Sequence, residues 1–178
     1  PDGKITSEDR VLLGNSLPRF QYGGTVNLAW KGIDFSLAFQ GIGKQTSYLY
    51  TQMVQPVRDN YGNIPAILDG KYWSPFNTEE QNRNAKYPRL TNTGKTNNYL
   101  TSDFWLFDGS YFRLKNVTLG YTLPQKWTNK LHLNTARIYV SASDLFCISD
   151  FPKGWDPEMG VSSYPITSTI LVGLNLKL

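Results

Sequence analysis

The chain has 178 residues, of which 40% are hydrophobic, 14% aromatic and 18% charged. That many aromatic side chains can bury enough apolar area to order a chain, which excludes a disordered tail, and no run of ~18 apolar residues exists to make a transmembrane helix. The net charge of +4 is scattered, with neither a basic stripe nor a nucleic-acid motif, so no nucleic-acid partner is expected.

Period-2 alternation dominates the sequence. It predicts an all-β chain with five strands near 20–31, 33–44, 111–123, 136–146 and 166–178. In the first, Phe20, Tyr22, Gly24, Val26, Leu28 and Trp30 share a face opposite Gln21, Gly23, Thr25, Asn27, Ala29 and Lys31. In the second, Ile33, Phe35, Leu37 and Phe39 oppose Asp34, Ser36, Ala38 and Gln40. A tight hairpin around Lys31–Gly32 joins the two. Val117, Leu119, Tyr121 and Leu123 mark the third strand; the run Ala136–Phe146 alternates less cleanly. Ile170, Val172, Leu174, Leu176 and Leu178 mark the last. Asp108–Gly109 could be a hairpin turn that makes Phe104–Phe107 a sixth strand; four residues are short for this kind of strand, so five are expected.

The connections alternate between short and long. Lys31–Gly32 and Pro124–Thr135 are short, and Trp127–Leu131 suits one helical turn. Gln45–Ser110 and Cys147–Pro165 are long. Compact domains rarely hold loops of that size, whereas a transmembrane β-barrel places short turns on the periplasmic side and long loops outside. Strands of ~9–11 residues with alternating faces suit a barrel wall. Aromatics near the strand ends, as at Phe20, Tyr22, Trp30 and Tyr121, suit its girdles. The alternative is a soluble, secreted β-sandwich that binds glycans; there the same apolar face would pack on a second sheet.

Several segments, taken together and in order, resemble one family, the SusC/RagA-type TonB-dependent transporters of the Gram-negative outer membrane. They are Asp2-Gly3-Lys4-Ile5, Asp9-Arg10, Gly14-Asn15 and Pro18-Arg19-Phe20, then Gly32-Ile33-Asp34-Phe35-Ser36 with Phe39-Gln40-Gly41. The most specific is Asp108-Gly109-Ser110-Tyr111-Phe112-Arg113-Leu114-Lys115-Asn116-Val117-Thr118-Leu119-Gly120-Tyr121. Ser143-Asp144-Leu145-Phe146, Gly154-Trp155-Asp156-Pro157-Glu158, Tyr164-Pro165 and Gly173-Leu174-Asn175-Leu176 follow. Asp144 stands where the family usually has Asn, and Leu178 stands where such barrels often end in an aromatic. The resemblance implies that residues 1–178 are the C-terminal segment of a barrel of about 22 strands, with the plug and signal peptide absent. It implies import of an oligosaccharide or peptide. The implied partners are the rest of the transporter, a SusD-like surface lipoprotein, TonB acting through the plug, and outer-membrane lipid.

No cofactor and no catalytic residue are expected. Asp2-Gly3-Lys4-Ile5 with Asp9 resembles half of a calcium loop; a glycine turn beside a solvated acidic stretch explains it better. His132 lies in a short turn, and Cys147 has no basic sequence neighbour to activate it. Asp156 and Glu158 flank a turn-forming proline, a poor glycosidase pair. Flat aromatic faces in the long loops are the candidates for substrate or lid contact: Tyr72, Trp73, Tyr99, Trp105 and Trp155. Their alternative role is to pack the loops onto themselves.

Overall fold

The computed structural model describes residues 3–4, 6–48, 64, 66–91, 100–159 and 163–178. Strands β1 (Phe20–Trp30) and β2 (Ile33–Gly43) are followed by the short β3 (Thr46–Tyr48) and β4 (Leu106–Asp108). The long strands resume with β5 (Tyr111–Thr122), β6 (Thr135–Ser149) and β7 (Thr169–Lys177). Among the described residues, β1, β2, β5, β6 and β7 form one antiparallel sheet in that order, and β3 pairs with β4 in a separate ribbon.

The register sorts the two faces of the sheet. Trp30, Ile33, Tyr121, Ile138 and Leu174 lie in one cross-strand row. Leu28, Phe35, Leu119, Val140 and Val172 form the next, then Val26, Leu37, Val117, Ala142 and Ile170. The opposite face carries rows such as Asn27, Ser36, Thr118, Ser141, with the Thr118 and Ser141 hydroxyls 2.8 Å apart. A slip of one residue in any pair would reverse every side chain, so the continuous apolar rows fix the register. Across the middle of the sheet this apolar face is open among the described residues: Leu28 is 62% exposed and Val172 72%. The second sheet that a sandwich would pack against this face is absent among the described residues.

The hairpin at Lys31–Gly32 forms as the sequence predicts. Both residues take positive φ, 46° and 88°, the twist that matches two right-handed strands. A Cβ on Gly32 would sit 2.8 Å from the Thr122 carbonyl, so the site demands glycine for space as well as for φ.

Three boundaries differ from expectation. The 104–107 region does hold a short strand, Leu106–Asp108, but it pairs with Thr46–Tyr48 instead of forming a hairpin with β5. Strand β6 runs on to Ser149, because Tyr111 at the start of β5 is there to pair with it. Strand β7 starts at Thr169, not 166, because its partner β6 is lost to it beyond Ser143. The weak alternation in Ala136–Phe146 also has a cause. The β5–β6 register breaks between Leu114 and Asn116, and Asp144 opposite takes φ +49°. Asn and Asp tolerate that left-handed conformation best.

Both long connections leave from one end of the sheet and both short ones from the other. At the long-loop end, Leu68, Tyr87, Trp105 and Phe151 form a buried cluster, with Tyr48, Tyr72, Leu90, Phe107 and Trp155 packed against it. Helix α1 (Glu79–Arg83) is capped by Thr78, whose hydroxyl accepts from Gln81 N while Gln81 Oε1 accepts from Thr78 N. At the other end α2 (Gln125–Thr128) runs into a 3₁₀ turn, Asn129–Leu131, closed by His132 at φ 55°. The sequence places a helical turn there.

Candidate functional site

The long loops form a folded module whose centre is aromatic. Tyr87 stacks on Trp105 at 6.2 Å between centroids, and Phe104 meets the Trp105 indole edge-on at 4.7 Å. Phe107 and Phe151 join the two loops at 6.3 Å. Trp105 is 2% exposed. Burial pushes the Tyr87 phenol above its ordinary pKa, since a phenolate would be charged inside an apolar cluster.

A second tie fastens this module to the polar face of the sheet. Arg113 on β5 is 3% exposed, and its Nη2 donates to both Asp156 oxygens, at 2.7 and 2.6 Å. Its Nε lies 3.2 Å from Glu158 Oε2. Lys115 reaches Asp144 and Glu158, each at 3.2 Å, and Gln40 on β2 donates to Glu158 at 3.0 Å. Three carboxylates thus meet two cations on the polar face of the sheet. A charge as deeply buried as Arg113 is tolerable only with such partners. The consequence is geometric: the segment Gly154–Glu158 is bent back over the polar face of β2, β5 and β6. Trp155, one residue before Asp156, packs on the loop core.

A separate pair lies lower on the same face. Arg137 Nε donates to Asp34 Oδ1 at 2.8 Å, its Nη2 bonds the other oxygen, and the guanidinium sits 4.8 Å above the Tyr139 ring. It crosses Gly120, where a Cβ would come within 2.4 Å of the guanidinium. That pair clamps β2 to β6 across β5.

The candidate aromatics fall in different places. Trp105 is in the module's core, and Tyr72 and Trp155 are half-buried against it. Trp73 is 43% exposed. Tyr99 lies outside the described residues. Phe76, another aromatic of the same loop, is 96% exposed. Its turn is tightly held: Asn77 donates to Tyr72 O at 2.9 Å, and Asn82 donates to Ser74 O at 2.8 Å and accepts from Ser74 N at 3.0 Å. Asp9 spends its carboxylate on a cap, accepting from Thr6 N at 2.7 Å. His132 is exposed, and Cys147 pairs with Arg113 on the polar face. Sequence reasoning missed Arg113 as the anchor. The available signal was a lone arginine on a strand together with two carboxylates around Pro157.

No family model matches the chain. Curated relatives do. TonB-dependent receptor P3 of Formosa agariphila is 30% identical over 99% of this chain and 18% of its own length. TonB-dependent receptor SusC of Bacteroides thetaiotaomicron is 27% identical over 99% of this chain and 17% of its own. Over nearly its whole length the chain is similar to a barrel segment of the SusC/RagA-type TonB-dependent receptors. The fold agrees. The solved structure of the RagAB peptide transporter superposes with a TM-score of 0.70 at 21% identity, covering 97% of this chain and 19% of that one. The RagAB peptide importer in its open-open state gives 0.65 at 24% identity, covering 93% and 18%. This SusC/RagA-type segment therefore spans about a fifth of the proteins it resembles. Its apolar rows are the lipid-facing side of a wall and its polar rows the inner side. The relatives are named as receptors and transporters.

Proposed function

We propose that the transporter to which this segment belongs imports a nutrient, an oligosaccharide or a peptide, in an energy-coupled step. A SusD-like surface lipoprotein closes over its mouth, and TonB acts through a plug outside this chain. The segment is the C-terminal part of the barrel. Its long loops are extracellular and its short turns periplasmic. One observation carries the reading: the two long loops share a core and are pinned by Arg113 to the inner wall. A connector needs no such core; a preformed docking platform does, because rigid surfaces lose less entropy on binding. The peptide importer RagAB supports the peptide alternative, and SusC supports the family role.

On this platform Trp73 and Phe76 are exposed aromatics beside the charged Glu79, Glu80 and Arg83. Aromatic anchors within a charged rim suit a protein interface, so the loop's first task is to dock the lid. Excising Tyr72–Tyr87 would remove Tyr87 from the core. The sharper test is Trp73→Ser with Phe76→Ser in the full transporter. Barrel assembly should be unchanged, while co-purification of the lipoprotein weakens at least tenfold and uptake slows. Full retention of the lipoprotein with loss of substrate binding would make these residues a ligand site and overturn the docking assignment. Orientation is tested by labelling Glu79→Cys and Gln125→Cys on intact cells; labelling of the second alone would reverse it.

A further inference from the structure

The short-turn end of the wall carries a feature that import does not require. Trp127 and Leu131 are one helical turn apart, 58% and 64% exposed. Lys126 and Lys130, next to them, are also exposed. On the other side of the same turn Thr128 is 1% exposed, its hydroxyl donating to Gln125 O at 3.3 Å.

The register says on which side of the wall this turn sits. Ala136 precedes Ile138 by two on β6 and pairs with Leu176, so it belongs to the apolar, lipid-facing rows. Yet Ala136 is 2% exposed, whereas its row-mates Ile138 and Leu176 are 49% and 56%. Something covers Ala136 from the lipid side. Helix α2 is the helix that packs against β6, and Thr128 is its buried residue. Seen this way, α2 is folded onto the outer surface of the wall, and Trp127 and Leu131 project into the same medium as Trp30 and Tyr121.

Directly above it, two residues along each strand, the wall has a shallow apolar groove of about 330 Å³. Ile33, Leu119, Tyr121, Ile138 and Val140 line it. The groove opens on the lipid-facing belt two residues along β6 from Ala136, and α2, with two ammonium groups and an indole, lies on the far side of Ala136. We propose that α2 is an interfacial anchor and that this site holds one phospholipid of the adjoining leaflet. An acyl chain lies in the groove, and Lys126 and Lys130 meet the headgroup phosphate. Tryptophan favours that depth, where its ring is apolar and its N–H is wet, and lysines reach from an apolar surface to a charged layer. Each lysine near an anionic surface is worth about a fivefold preference.

The test uses the full transporter in nanodiscs of phosphatidylglycerol and phosphatidylcholine. Nitroxide labels at position 127, 129 or 131, in a background without other reactive cysteines, report depth. Labels at 127 and 131 should be reached by oxygen and shielded from a water-soluble nickel reagent, and the label at 129 should be open to nickel. Equal nickel access at 127 and 129 would overturn the anchor. Native mass spectrometry should then show Lys126→Glu with Lys130→Glu retaining phosphatidylglycerol some ten- to thirtyfold less than the parent. Retention unchanged by the double reversal would overturn the headgroup site. The label data come from protein with both lysines intact, so a misassembled double variant does not decide the matter.

Discussion

The two ends of this chain solve opposite problems with the same side chains. In the wall, Leu28, Val140, Val172 and Leu174 are exposed and the polar residues face inward. In the loop module, Leu68, Trp105 and Phe151 are buried, and Glu79, Glu80 and Arg83 are exposed. A wall strand has lipid on one side, so its apolar residues need no partner. A loop in water must cover its own. Exposure of a leucine is therefore read correctly only with the medium it meets.

The largest effect that would sharpen this contrast is in the module. Trp105→Ala removes an indole that is 2% exposed and stacked on Tyr87; such truncations cost about 3–5 kcal/mol. The expected outcome is local: rapid proteolysis within 64–108 in the full transporter, with the barrel still resistant to detergent. Loss of the barrel as well would mean that wall and module fold as one unit, and the contrast would fail.

The next effect lies in the wall. Leu28 sits in the middle apolar row, and Asn27 beside it faces inward. Leu28→Arg should cost about 2–4 kcal/mol near the bilayer midplane, read as impaired insertion into membranes. Asn27→Asp should insert almost normally. Equal defects would mean that both faces are covered by protein.

Arg113 joins the two regions, so its replacement tests the joint. Arg113→Met leaves Asp156, Glu158 and Asp144 facing Lys115 alone. Breaking a buried pair costs about 3–5 kcal/mol, and about 2 kcal/mol is expected here because Glu158 is partly exposed and screened. The segment 150–159 should become a cleavage site for added protease while 100–108 stays protected. If 150–159 stays protected too, the aromatic tie at Phe151 and Trp155 is enough to hold it.

The wall was legible in the sequence because its signal is local. Leu28 announces its face through Val26 and Trp30, two residues away, and the left-handed turn through Lys31–Gly32. The module was not. Leu68, Tyr87 and Phe151 meet from three separate stretches with no common period, and a lone Leu68 carries no mark of burial. Arg113 and Asp156 are 43 residues apart, and only the bend at the Pro157 turn brings them together. The phase slip at Lys115 and Asp144 blurred one strand for the same reason: a bulge is a tertiary event written in two residues. Among the candidate aromatics, composition could not separate Trp105, which is core, from Trp73, which is surface.

The smallest effect expected is a titration, and it probes the module alone. Burial holds the Tyr87 phenol above the ordinary tyrosine value of about 10. The folded module therefore favours the neutral form. Its stabilisation is fully present below the unfolded pKa and is lost as pH rises past that value toward the folded one. The reporter is already in place, because Trp105 stacks on Tyr87 at 6.2 Å with an interplanar angle of 17°, and a tyrosinate quenches a nearby indole by energy transfer. Trp emission of the full transporter should fall in a step above pH 10, later than a free tyrosine would ionise. Tyr87→Phe should abolish that step and leave the rest of the curve alone. The other tyrosines contribute equally to both proteins, so the difference curve isolates this one. Superimposed curves would mean that Tyr87 does not titrate against Trp105, and the stacked pair would not be the centre of the module.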